Sequence, residues 1–126
     1  MLVHEKTTHA ILSCAYRVHS KLGPGLLEKP YFVGMCRELT KQQVRFETEK
    51  LLPLEYDGVP LDLGYRVDLL VENEVIVEIK AVEAVLPVHE AQLLSYLRLG
   101  RKRVGLLINF NVERLRQGIR RKIVGY

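Results

Sequence analysis

Apolar residues recur at helical spacing over 6–22, at Ile11, Ala15, Val18 and Leu22, and this pattern predicts a first helix. Gly23-Pro24-Gly25 ends it, because none of the three favours continued helical backbone. A second helix is predicted from about Leu26 to Lys41, with Leu27, Tyr31, Met35 and Leu39 on one stripe. Pro30 fits only near the first turn and so pins the start. Val44 to Leu54 reads as a strand broken near Glu49 and Lys50, followed by a turn at Asp57-Gly58 and a short link through Pro60 to Gly64. Pro87 suits the first position of a helix running to about Leu99 and ending at Gly100. Val104 to Phe110 is a continuous apolar run, as expected of a strand buried on both faces. In Val112 to Val124, Leu115, Ile119 and Ile123 lie four apart, which predicts a basic final helix.

The stretch Tyr65 to Lys80 has two apolar runs around Glu72-Asn73-Glu74 and predicts a β-hairpin folded about Asn73. Symmetric pairing sets Val71 against Val75, Asp68 against Glu78 and Lys80 against Arg66. Alternation then puts Tyr65, Val67, Leu69, Val71, Val75, Val77 and Ile79 on one face, and Arg66, Asp68, Leu70, Ile76, Glu78 and Lys80 on the other. Opposed Cβ atoms sit about 5 Å apart. Two carboxylates there repel by about 3 kcal/mol at an effective dielectric of 20, and by under about 1 kcal/mol in water. On an open face the cluster is a solvated edge neutralised by Lys80 and Arg66. Under a covering element it calls for a cation, and Mg²⁺ favours a few carboxylates plus waters.

Charge adds a second feature. The net charge of +4 conceals +8 from Arg98 to Tyr126 and −4 over residues 1–97. A basic pole on an acidic body suits a polyanion partner, although it also serves solubility. Arg120, Arg121 and Lys122 are its densest run. At 126 residues and 48% hydrophobic, residues 1–126 are expected to form a single domain with a sizeable core. No apolar run approaches the ~20 residues of a membrane span, and MLVHEKTTHA lacks the apolar core of a signal peptide, so a cytoplasmic location is expected. Cys14 and Cys36 show no C-x-x-C spacing, which leaves buried free thiols and excludes a four-cysteine iron–sulfur cluster. Glu28, in the first turn of the second helix, is favourably placed against the helix dipole whatever else it does. Gln92 and Tyr96 are four apart and share a helix face, with His89 one turn earlier.

Taken together, Glu28, Asp68, Glu78-Ile79-Lys80 and Gln92-x-x-x-Tyr96 occur in an order that resembles the PD-(D/E)XK nuclease superfamily. Within it, Gly25-Leu26-Leu27-Glu28-Lys29-Pro30-Tyr31 resembles the signature of the small GxxExxY proteins, supported by GYRVDLLVENEVIVEIKAVE, PVHEAQLLSYL and GLLINF. The likeness extends from about residue 6 to 124. It implies a restriction-endonuclease-like α/β fold, a mixed sheet flanked by helices in the order α-α-β-β-β-α-β-α. It further implies Asp68 and Glu78 as ligands of Mg²⁺ or Mn²⁺, with the Ile79 carbonyl beside them and Glu28 completing the shell. Lys80 would orient or deprotonate a water, while Gln92 and Tyr96 would line the site or meet the nucleic-acid backbone. Val67 stands where the superfamily often has proline. Three functions follow as alternatives: a metal-dependent nuclease, a nucleic-acid-binding module that does not cleave, and an assembly protein. A chain this short lacks the insertions that give larger nucleases their selectivity, so a homodimer or a specificity-providing partner is expected.

Overall fold

The computed structural model describes residues 3–125. Met1 and Leu2 of the stretch MLVHEKTTHA, and Tyr126 of the basic C-terminal end, lie outside the described residues. The order is α1 (Glu5–Leu22), α2 (Glu28–Lys41), β1 (Phe46–Tyr56), β2 (Val59–Val71), β3 (Val75–Lys80), α3 (Pro87–Gly100), β4 (Val104–Asn109), a 3₁₀ turn (Leu115–Gly118) and β5 (Ile119–Ile123). The five strands form one mixed sheet in the order β1-β2-β3-β4-β5. Only β3 and β4 pair in parallel, joined by the crossover through α3.

Each face of the sheet carries its own core. On one side Ile11, Ala15 and Val18 of α1 and Tyr31, Met35 and Leu39 of α2 pack on Leu69, Val71, Val77, Ile79, Leu106 and Ile108. On the other, Leu93 and Leu97 of α3 pack on Leu52, Val67, Leu70, Ile76 and Leu107. The helix pair and the single helix therefore sandwich the sheet. β4 is buried along its whole length, the consequence of its uninterrupted apolar sequence.

The central hairpin keeps the register that its symmetry predicts, with Val71 opposite Val75, Leu70 opposite Ile76 and Leu69 opposite Val77. Its turn places Glu72 and Asn73 at φ 52° and 55°. Glu72 is held there by the Arg45 amide and guanidinium, and Asn73 by the Lys102 ammonium.

Four expectations are corrected. The turn at Asp57-Gly58 forms as expected, but the 59–64 link is strand: β1 and β2 form a long hairpin about that turn, Tyr56 paired with Val59. The predicted final helix is a single 3₁₀ turn followed by β5, because the buried β4 needs a partner for its outer row of backbone groups. Ile119, Arg121 and Ile123 also satisfy the two-residue period of a strand, and Gly118 permits the tight entry, since a Cβ there would collide with the Asn109 carbonyl. Third, Tyr65 and Val67 do not share a face with Leu69. Val67 packs under α3, and the Tyr65 ring lies 5.5 Å from that of Tyr96. Opposite Asp68, Glu49 takes a left-handed φ of 51°, and this irregularity in the β1–β2 ladder reverses the alternation. Finally, Lys80 does not oppose Arg66, because the β2–β3 ladder ends at Leu69–Val77; Arg66 pairs with Leu51 and Lys80 with Asn109.

Candidate active site

The site lies where β2 and β3 part. In place of a further rung of the ladder, the Asp68 carboxylate accepts a hydrogen bond from the Ile79 amide at 2.7 Å, and the Asp68 amide points at Glu78 Oε2 at 3.4 Å. The fork thus brings two carboxylates together on adjacent strands, beside a main-chain segment whose amide is already used. Glu78 is 7% exposed. Burial, and after it the Asp68 charge, push its carboxyl up to about 9, while the more distant Lys80 charge opposes the shift. Among the described residues, neither carboxylate forms an ion pair with Lys80 or Arg66; Lys80 acts on Glu78 and Glu28 through space.

Two layers close on this fork from opposite sides. Glu28, the first residue of α2, is solvent-exposed, yet its carboxyl is raised by desolvation and then by Asp68, and lowered by Lys80, so it belongs to the same electrostatic cluster. From the other layer, Tyr96 of α3 has its hydroxyl pKa raised by burial and then by Glu78, Tyr65 and Asp68. Gln92, one turn earlier, lines a recess of about 470 Å³ with Tyr65, Ser95, Tyr96 and Arg98. Glu28, Asp68, Glu78, Lys80 and Tyr96 are therefore one cluster, with Gln92 at its margin.

The basic triplet is divided. Arg120 lies across β4 from Glu78, through the pairs Glu78–Leu107 and Leu107–Arg120, about 10 Å away at ordinary strand spacing. Lys122 is on the same side and is tied to Glu90 of α3 at 2.6 Å. Arg121 alternates to the opposite face, where it donates to the Val3 carbonyl. The three residues do not form one patch.

Sequence reasoning passed over the residues that hold the two halves together. Asn109 is 1% exposed; its side chain donates to the Val82 carbonyl and accepts from the Val82 amide, clamping the chain just after Lys80. Asn111 accepts from the Gly25 amide and so ties down the loop that leads to Glu28. The Tyr31 hydroxyl donates to Gly23 and accepts from Leu26, and its ring stacks on Phe110 at 4.7 Å. In Gly25-x-x-Glu28-x-x-Tyr31 the tyrosine therefore braces the loop that presents the glutamate. The available signal was an asparagine at the end of an apolar run, since a buried amide requires partners.

Hard oxygen donors are what a divalent cation such as Mg²⁺ or Mn²⁺ prefers, and the Asp68 and Glu78 carboxyls, brought together at the fork, are of that kind. The buried Glu78 and half-buried Asp68 carboxyls, neither with a direct cationic partner, fit such an ion, which would replace the proton that Glu78 otherwise retains. Among the described residues no group of three or more His, Cys, Asp and Glu side chains is close enough to hold a metal. No helix of the described residues is long and apolar enough to cross a membrane.

A family model described as the PD-(D/E)XK nuclease superfamily matches residues 5–122. No curated protein matches the chain significantly. Among solved structures, the crystal structure of SSO0001 is similar with a TM-score of 0.58 and 21% identity, over 96% of this chain. The match spans 59% of that longer chain, and the likeness is one of fold.

Proposed function

Because this chain belongs to the PD-(D/E)XK nuclease superfamily, we propose that it hydrolyses phosphodiester bonds of DNA or RNA with Mg²⁺ or Mn²⁺ held by Asp68, Glu78 and the Ile79 carbonyl. The Gly25–Tyr31 segment supports the finer assignment to the GxxExxY proteins. The observation that carries the proposal is the Asp68/Glu78 pair at the parted strands, one half-buried and one buried carboxyl side by side with no direct cationic neighbour. A bound divalent ion supplies Lewis-acid polarisation of the phosphoryl group and a more acidic water.

The protein's own side chains supply the rest. Glu28 adds an exposed carboxylate at the rim, where it accepts a hydrogen bond from water. The Lys80 ammonium, one residue past Ile79, orients the attacking water and takes part in moving its proton. Gln92 and Tyr96 offer an amide and a hydroxyl to the substrate backbone, and Arg120, in line with Glu78 across β4, offers a cation to a flanking phosphate. A second reading, a nucleic-acid-binding module that does not cleave, is favoured by the absence of a third ligating side chain among the described residues. The test is incubation of labelled single- and double-stranded DNA and RNA with Mg²⁺, Mn²⁺ or EDTA, beside Glu78→Ala. Metal-dependent cleavage lost in the variant supports the enzyme. Binding without cleavage under every metal and substrate replaces it with the module.

A further inference from the structure

The recess beside the fork is lined largely by residues that the hydrolysis does not use. Along α3, Val88, Ala91, Ser95 and Leu99 follow one another at helical spacing and form a single stripe, and Leu54 and Tyr65 of the β1–β2 hairpin complete an enclosure of about 470 Å³. Tyr65 reaches it because the ladder irregularity at Glu49 turns the tyrosine to the α3 face. Besides the hydroxyls of Tyr65 and Tyr96, its polar groups are the Ser95 hydroxyl, the Gln92 amide and the Arg98 guanidinium. No carboxylate of the described residues lines it, so nothing in the lining repels a phosphate.

The Tyr65 and Tyr96 rings lie 5.5 Å apart and tilted by 41°. That is contact distance for two aromatic rings, which leaves no room for a flat group between them. Tyr96 therefore backs Tyr65, and Tyr65 itself is still 48% exposed. An exposed aromatic side chain braced from behind, beside an apolar floor, is a platform for another flat ring. Tyr96 also joins the recess to the fork, since its hydroxyl pKa is raised by burial and then by Glu78, Tyr65 and Asp68.

We infer, resting on the nuclease reading of the fork, that this recess receives an unpaired base of the substrate strand, stacked on Tyr65, with Ser95 at the base edge and Arg98 beside a neighbouring phosphate, so that the protein selects single-stranded over duplex nucleic acid. A base inside a duplex has both faces covered by its neighbours and its edge paired, and must be extruded before it can enter; a base in a single strand pays much less. Every base has a π-face, so stacking selects the state of the strand and not its sequence.

Equilibrium binding of the full chain in EDTA tests the inference without cutting the ligand. A single strand, its duplex and a strand of abasic residues, which keeps the phosphates and lacks the bases, are compared at one length. Wild type should bind the single strand most tightly. Tyr65→Leu keeps apolar bulk and removes the aromatic face; it should weaken single-strand binding by roughly tenfold and leave the duplex and the abasic strand unchanged. Tyr65→Phe should bind like wild type, whereas a folding defect would weaken all three ligands alike. Single-strand affinity unmoved by Tyr65→Leu, an equal loss on all three ligands, or wild-type binding that is absent or indifferent to the bases would each overturn the inference. Metal-dependent cleavage with base-blind binding would keep the nuclease and remove the platform, and base-dependent binding without cleavage would keep the platform and remove the nuclease.

Discussion

Glu38 and Glu78 are both buried glutamates, 4% and 7% exposed, and they sit in opposite electrostatic surroundings. At Glu38 burial alone would raise the carboxyl, but hydrogen bonds and charge from Lys21 and Lys41 outweigh it and hold the pKa below the usual value. At Glu78 the nearest charged group is another carboxylate, so burial and repulsion act together and the pKa is pushed up to about 9. The difference teaches that burial of an acid does not by itself mark a working site. Glu38 is compensated by the fold, which supplies its cations from both helices. Glu78 is left for something outside the chain to compensate, and that is where chemistry is expected.

The strongest way to break this comparison is to remove chemistry from the fork without disturbing its ligands. Lys80→Met should lower metal-dependent turnover by about 10²- to 10⁴-fold while leaving nucleic-acid binding and the folded spectrum intact. Turnover equal to wild type would leave Lys80 with only its through-space charge on Glu78 and Glu28.

Metal linkage separates the two glutamates next. A divalent ion at about a hundred times its dissociation constant should stabilise the wild type by about 2.7 kcal/mol, read as a rise in melting temperature. Asp68→Asn and Glu78→Gln should abolish that rise, and Glu38→Gln should keep it. Because Glu78 retains its proton at neutral pH in the metal-free protein, binding should also release protons, which calorimetry in buffers of different ionisation enthalpy measures. An unchanged metal response in the Glu78 variant would place the ion elsewhere.

The pH dependence of metal-free stability should differ in sign at the two residues. Glu78 binds its proton more tightly folded than unfolded, so its contribution falls as pH rises from the ordinary 4.5 towards about 9, and Glu78→Gln should flatten that decline. Glu38 is shifted down, so its contribution is present at neutral pH and is lost as the solution is acidified through and below the ordinary carboxylate range. Glu38→Gln should therefore cost about 1 kcal/mol at neutral pH and little in acid, as denaturant midpoints would reveal. The same slope in both variants would remove the contrast.

The smallest effect concerns the basic end. Arg120→Ala should reduce the log–log salt dependence of duplex DNA binding by roughly 0.9 if it meets one phosphate, whereas Arg121→Ala, on the far face, should leave the slope unchanged. Equal changes would mean that both faces of β5 touch the nucleic acid.

What the sequence determined by itself is local or pairwise symmetric. Apolar periodicity with Gly23 and Pro30 delimited α1 and α2, Pro87 opened α3, and the polar turn at Asn73 settled which residues of β2 and β3 oppose one another, because a two-residue period leaves little freedom once both flanks are apolar. That register ends at Leu69–Val77, one rung short of the expected Asp68–Glu78 pair, and the two carboxyls meet through the side-chain hydrogen bonds of the fork instead. Tertiary structure decided what depends on distant partners. Residues 112–124 satisfied both a helical and a strand period, and the unpaired edge of β4 selected the strand, which in turn separated Arg121 from Arg120 and Lys122. The reversal at Asp68 came from Glu49, a residue whose left-handed backbone no pattern of apolar positions encodes. The clamps through Asn109 and Asn111 join segments 27 and 86 residues apart, so only the folded chain could show that Asn109, the last residue of β4, fixes the chain after Lys80 and that Asn111 fixes the loop before Glu28. Periodicity reports which face a residue prefers, whereas pairing, burial and charge compensation belong to the neighbours that folding brings.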